Sequence, residues 1–270
     1  MIIIAERVNA SRPGIWKAIR DRDKETIVKE ITNQDKAGAE YIDLNAGTGS
    51  GETSEEIDDL RWLIDCALEC TEKKFSVDTA DPEVLKAGVE HLDGRRPWML
   101  NSIKAEDKLM EETLPFAAQH GAPVIALAMD ESGIPTTAER RVAVCKRIRD
   151  AAAEAGVAEK QLFFDALAFP IATDVTQGPV TLETIRRIKK ELPSSKTTLG
   201  LSNVSHGLPK RAHVNRAFLV AAFVCGLDSA LCDPTRPSVA KGIALGELVS
   251  GHDKYCRKYT RAARGGLFDG

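Results

Sequence analysis

Residues 75–101 read FSVDTADPEVLKAGVEHLDGRRPWMLN, from Phe75 to Asn101. A short apolar run, Phe75–Asp78, gives way to an amphipathic stretch, Pro82–Leu92, and then to a second short apolar run, Trp98–Asn101. Near-continuous apolar runs of this length suit strands covered on both faces, and spacing of three and four suits a helix with one buried side. Asp81-Pro82 marks where that helix starts: a side-chain cap precedes a proline, whose missing N–H is no loss in the first turn. Strand, helix and strand in this order form a crossover unit, which joins parallel strands.

The same alternation extends in both directions. Strands are expected at Ile2–Glu6, Tyr41–Asn45, Phe75–Asp78, Trp98–Asn101, Val124–Met129, Leu162–Asp165, Thr198–Leu201 and Ser229–Leu231. Helices are expected at Asp23–Ala37, Ser54–Glu69, Pro82–Leu92, Glu106–His120, Thr137–Ala155, Leu182–Leu192, Asn215–Cys225 and Ser238–Ser250. Gly38, Gly121 and Gly156 fall just past helix ends, where a left-handed residue is wanted. Eight strand-helix units in a chain of 270 residues match a single (β/α)8 TIM barrel, with residues 1–270 as one domain. An open doubly wound sheet leaves the count of eight unexplained.

Composition narrows the function classes. Apolar residues at 43% and charged residues at 29% support a large core beneath a hydrated surface. A net charge of −3 offers no excess of cations to hold a phosphate backbone, so no nucleic-acid partner is expected. No apolar run is long enough to span a bilayer, and the N-terminal MIII ends in Glu6-Arg7, unlike a signal peptide. A cytoplasmic protein without a membrane partner is expected. The six cysteines form no CxxC pair and no Cys/His cluster with zinc spacing, so no metal held by the chain is expected. They read as small buried hydrophobes in a reducing compartment.

Catalytic groups of such barrels come from the carboxyl ends of strands and the loops that follow. Here those ends carry Asp43 and Asn45, Asp78, Asn101, Asp165, and Asn203 with Ser205. Asp and Asn also cap helices and form turns, but five loops that deliver them to one face exceed what capping requires. No Lys, Cys or His ends these strands, which leaves Schiff-base and thiolate chemistry without a residue. Strand ends poor in cations also suit a phosphorylated sugar badly. A flat heterocycle with several N–H donors on one edge suits them well, because a carboxylate facing two adjacent donors makes a strong paired contact. A reduced pterin is one such ligand.

Several segments together carry a resemblance: ERVNASRPG near the start, YIDLNAG, SVDT, MLNS, ALAMDESGIP, FFDALAFP, GLSNVSHGLPKR and VNRAF. Over nearly its whole length the chain resembles the methyltetrahydrofolate:corrinoid methyltransferases. These are pterin-binding barrels related to dihydropteroate synthase and to the folate domain of cobalamin-dependent methionine synthase. The resemblance implies pterin anchors at Asp78, Asn101 and Asp165, an Asn near the transferred methyl at Asn203, and an Arg facing the site at Arg211. Asp165 is then expected to accept from the 2-amino group and N3–H, with Asp78 and Asn101 on the remaining polar edge. Glu6, Asp43 and Asn45 match residues lower in the cavity and are expected to orient those anchors.

The resemblance further implies tetrahydrofolate or methyltetrahydrofolate as substrate, and a cobalamin (corrinoid) carried on a separate protein, since the chain contains no corrinoid module. The direction of methyl transfer is open. Barrels of this family commonly pair, and the apolar stretch Phe218–Phe223 is a candidate face for a homodimer. Two departures stand out. His206 takes the place of a different polar or aromatic residue and reads as a proton relay or a surface residue. Asp130-Glu131 is more acidic than its counterpart, which bears on the corrinoid protein that docks there. Dihydropteroate synthase-like condensation is the alternative, but it needs basic residues for a diphosphate, and the seventh strand ends in GLSN without such a cluster. A non-catalytic folate-binding subunit is a further alternative.

Overall fold

The computed structural model describes residues 1–47 and 51–269. In chain order the elements are β1 (Ile2–Asn9), α1 (Pro13–Arg20), α2 (Lys24–Lys36), β2 (Tyr41–Asn45), α3 (Thr53–Cys70) and β3 (Lys74–Asp78). They continue with α4 (Pro82–Leu92), β4 (Trp98–Ala105), α5 (Asp107–Gln119), β5 (Val124–Asp130), α6 (Ala138–Glu154) and β6 (Leu162–Asp165). The last third holds α7 (Gln177–Glu191), β7 (Lys196–Thr198), α8 (Arg211–Val224), β8 (Ser229–Cys232), α9 (Pro237–Val249) and α10 (Arg257–Arg264). The strands lie in the order β7-β6-β5-β4-β3-β2-β1-β8, and their pairs are parallel. A parallel bridge between Gly200 and Leu231 completes the ring, where the Leu231 N–H donates to the Leu199 carbonyl at 2.9 Å. This is the barrel expected from the sequence.

Strand side chains alternate in direction, and the two directions meet different cores. Outward residues such as Ile42, Leu44, Phe75, Val77, Leu100 and Phe164 pack under the helices in one large cluster. Inward, Ile4, Tyr41, Met99, Ile125 and Phe163 form a separate apolar plug. Two residues further along on the same face stand Glu6, Asp43, Asn101, Leu127 and Asp165. The polar ring is thus the layer above the plug, and Leu127 is its apolar member.

The glycines expected past helix ends take φ of +92° at Gly38, +61° at Gly121 and +91° at Gly156. Asp81 caps α4 by accepting from Glu83 N–H at 2.8 Å. Two helices went unread in the sequence. α1 opens on Pro-Gly and buries only Ile15, Ala18 and Ile19, so its signal is that of a turn. The basic α10 has no buried residue, and its start is held by the Asp253 carboxylate, which accepts from Lys258 and Tyr259 N–H. β7 stops at Thr198, and Leu201–Ser205 forms a 3-10 turn. Leu201 is apolar because it packs with the α8 cluster, which explains why it read as strand. β8 runs one residue past expectation, to Cys232. In the stretch Phe218–Phe223, the residues Phe218, Leu219, Ala222 and Phe223 are buried within the chain itself. Gly242 and Gly246 of α9 face that surface, so those side chains supply no free pairing face.

Candidate active site

A cavity of about 700 Å³ opens among the carboxyl ends of β1, β2, β3 and β8 and the turn after β7. Its polar wall includes Glu6, Asp43, Asp78, Asn203 and Arg211. Asn45, Asn101, Asp165 and His206 do not line it. Asn101 is buried because its Nδ2 donates to Asp43 Oδ1 at 3.0 Å. Asn45 stands at the end of β2, bonded to the Asp78 side chain. Asp165 is buried with 8% of its surface exposed, its Oδ1 accepting Leu167 N–H at 2.7 Å. The Gly200 N–H also bonds to that carboxylate. His206 is exposed, and its N–H donates to the Asn203 carbonyl at 3.1 Å.

Asp43, Asp78 and Asn101 therefore form one connected cluster. Burial, and then the neighbouring Asp78 charge, hold the Asp43 carboxyl well above the usual carboxylate range. Burial raises Asp78 as well, with Glu56 adding to it and the Asn45 and Asp43 bonds opposing it. Two carboxyl groups this close cannot both ionise cheaply. Among the described residues, Asp43 Oδ2, Ser76 Oγ and Asn45 Oδ1 are buried without a hydrogen-bond partner. Buried polar atoms without a partner are costly.

Across the barrel, burial pushes the Asp165 carboxyl up to about 6, against the Leu167 and Gly200 N–H groups and Arg141. Arg141 was missed in the sequence. It is fully buried on α6 and donates to the Ala166 carbonyl at 2.8 Å, the Leu167 carbonyl at 2.9 Å and Gln177 Oε1 at 2.9 Å. These bonds fix the chain that leaves Asp165, including Leu167 at φ +59°. The signal was readable: Ala138, Arg141, Cys145, Ile148 and Ala152 share one stripe of α6, and a lone Arg on such a stripe must be paired.

The mouth departs from the sequence reading in its charge. Arg7, Arg12, Arg211 and Arg236 line the cavity, so a site read as poor in cations at its strand ends gains them from β1 itself, from the residues before α1 and α9, and from the start of α8. Arg7 arrives through a bulge: β1 and β2 shift register between Ala5 and Val8, which brings both Glu6 and Arg7 to the wall. Burial raises Glu6, with a Ser202 bond opposing and Asp233 adding. Cys232, at the end of β8, also lines the cavity, and burial pushes its thiol upward, away from the reactive thiolate.

The 3-10 turn positions Asn203. Arg211 braces it, with Nε donating to Ser205 Oγ at 3.0 Å and Nη2 to the Ser202 carbonyl at 2.6 Å. The Asn203 N–H donates to the Gly200 carbonyl at 3.3 Å. Its amide folds back over Gly200, where a Cβ would lie 2.9 Å from Asn203 Nδ2. Gly200 thus touches Asp165 through its N–H and Asn203 through its carbonyl.

Fold and site together define a parallel α/β barrel with a polar cavity at the carboxyl ends of its strands, the place where such barrels bind ligands. Residues 5–232 match the family described as pterin binding enzyme, and the chain belongs to that family. It is 32% identical over 268 residues to the methylcorrinoid:tetrahydrofolate methyltransferase of Eubacterium limosum, covering 98% of this chain and 97% of the relative. It is 34% identical over 244 residues to methionine synthase of Mycobacterium tuberculosis, covering 86% of this chain but only 20% of that larger protein. Among solved structures, a Yersinia pestis dihydropteroate synthase with a pterine-sulfa conjugate superposes with a TM-score of 0.71 at 18% identity, over 93% of this chain and 94% of the other, a likeness of fold alone.

Proposed function

We propose that this protein moves a methyl group between N5 of tetrahydrofolate and the cobalt of a corrinoid carried on a separate protein. The observation that carries this reading is the juxtaposition in one cavity of Asp43, held from behind by Asn101, and Asp78 with the Asn203 amide at the mouth. The cluster offers acceptors for the donor edge of a pterin, and Asp165, buried behind Gly200 at the cavity wall, is assigned to the 2-amino group and N3–H once a ligand seats. The full-length similarity to a methylcorrinoid:tetrahydrofolate methyltransferase supports the same assignment. The dihydropteroate synthases share the fold at 17–20% identity, which supports no activity.

In the direction away from folate, the N5–CH3 bond breaks as the electron pair of cobalt(I) forms the Co–C bond. N5 keeps the pair from the broken bond and takes a proton from water. Asn203 is an amide and does not titrate, so it serves as a hydrogen-bond partner to N5. Its contribution grows as charge develops there, which is preferential stabilisation of the transition state. The acid cluster holds an edge that the reaction leaves unchanged, and it acts by positioning.

Mixing the protein with 5-methyltetrahydrofolate and cob(I)alamin should convert the cobalt(I) spectrum to that of methylcobalamin, and tetrahydrofolate with methylcobalamin tests the reverse. Absence of transfer in both directions would overturn the assignment. Asn203→Ala should slow single turnover by about 10²–10³-fold and change folate affinity by no more than about threefold. Wild-type single-turnover rates would remove Asn203 from catalysis.

A further inference from the structure

The arginines at the mouth are not spent equally. Arg7 is committed to protein anions: its Nε and Nη2 pair with Glu30, and its Nη1 with Asp233 at 2.8 Å. Arg12 donates through Nη1 to the Arg7 carbonyl at 3.0 Å, a neutral acceptor. Arg211 is likewise held by a hydroxyl and a carbonyl. Neither Arg12 nor Arg211 has a carboxylate within ion-pair distance among the described residues. Arg236 shares Asp233 with Arg7 through its Nε at 3.0 Å, and its side chain is 67% exposed. Four guanidinium charges therefore meet Glu30, Asp233 and Glu6, and burial holds Glu6 toward its neutral form. This wall carries uncompensated positive charge in a protein whose net charge is negative.

The cavity is thus bipolar. Acceptors of Asp43 and Asp78 lie on the β2–β3 side, free guanidinium donors lie on the β8–β1 side, and Leu231 and Val239 add apolar wall. A folate has the same polarity: a donor-rich pterin at one end, a neutral aminobenzoyl spacer, and glutamyl carboxylates at the other. Arg12 and Arg211, braced by neutral partners, keep their charge for a ligand, Arg236 contacts Asp233 through Nε alone, and a guanidinium matches the planar fork of a carboxylate. We propose that Arg12 and Arg236, together with Arg211, form an anion subsite for the glutamyl tail, so that the protein selects polyglutamylated folates. This inference rests on the pterin reading of the acid cluster, and it assigns the other end of the same cavity.

The test compares three ligands by titration calorimetry: a tail-less 6-methyltetrahydropterin, 5-methyltetrahydrofolate monoglutamate and its triglutamate. The wild type should bind the triglutamate at least about tenfold tighter than the monoglutamate, the worth of one charge-assisted pair. In the double variant R12Q/R236Q that gap should shrink to less than about twofold, with the tail-less pterin affinity unchanged. Gln keeps a donor for the Arg7 carbonyl, and thermal melts report on folding. Free tri-γ-glutamate should compete with the triglutamate, and inorganic phosphate at matched ionic strength should not. A wild type indifferent to glutamate number, a gap that survives in the variant, or equal competition by phosphate would each overturn the tail subsite while leaving pterin binding intact. Failure of the tail-less pterin to bind would instead overturn the pterin reading, and this inference with it.

Discussion

Asp165 shows how a single residue sets stability against binding. Burial lifts its carboxyl from 3.8 to about 6 in the ligand-free protein. The folded state then holds the proton more tightly than the unfolded chain does. Its contribution to the fold is complete below pH 3.8 and is lost as pH rises through about 6. The loss amounts to about 3 kcal/mol. Asp165→Asn removes the titration, so at pH 7.5 the variant should melt about 5 °C or more above the wild type, and the two should converge only as pH falls below 3.8. Parallel melting curves across that range would show that Asp165 does not titrate as its burial implies. Folate binding should move the other way. Pterin donors need the carboxylate, so affinity for the wild type should rise as pH passes through about 6, and the variant should bind weakly at every pH.

The element that matters most for chemistry is the 3-10 turn Leu201–Ser205. Gly200 enters it at φ −76° and ψ 93°, a conformation open to other residues, so its lack of a side chain is a matter of space. An added Cβ meets Asn203 Nδ2, the far end of a flexible side chain, at 2.9 Å. Gly200→Ala should therefore displace the amide at little cost to the fold. The expected outcome is a single-turnover rate at least about tenfold lower, as misplaced catalytic groups lose rate steeply, with a melting temperature within about 2 °C of wild type. Loss of stability without loss of rate would mean that the turn, and not the amide, yields to the methyl group. The turn itself was misread as the end of β7. The local signal, an apolar Leu201 after Thr198, is the same whether Leu201 sits in a strand or packs on α8, and only the packing distinguishes them.

At the scale of the whole molecule, the barrel must close between β7 and β8, and Asp228 secures the seam. Its Oδ2 accepts from Thr197 N–H at 2.9 Å and from Lys189 Nζ at 2.9 Å, and its carbonyl accepts from Ile2 N–H at 3.0 Å. Ser229 Oγ adds a bond to the Thr197 carbonyl at 3.1 Å. One residue thus joins β1, β7, α7 and the start of β8. Asp228→Ala leaves the buried Thr197 N–H without its acceptor, which should cost about 1–3 kcal/mol. Chemical denaturation should show this as a lower midpoint with an unchanged slope. The seam lies at the amino end of the strands, away from the cavity, so folate affinity should hold. A variant of wild-type stability would place the closure elsewhere.

The sequence by itself determined the alternation of strands and helices and the inward layering of the ring. Glu6, Asp43, Asn101 and Asp165 stand two residues beyond Ile4, Tyr41, Met99 and Phe163, and a strand repeats every two residues whatever surrounds it. That rule is local, so the polar layer above the plug was legible. Arg12 meets Arg236 on one wall, and Arg7 meets Asp233, only because the last strand returns to the first. Arg141 reaches the loop after Asp165 only because α6 packs on β5 beside α7. The charge of the mouth and the seam at Asp228 follow from ring closure, and the shared burial of Asp43 with Asp78 follows from the pairing of β2 with β3. Closure sets distances between residues far apart in the chain, which no local propensity encodes.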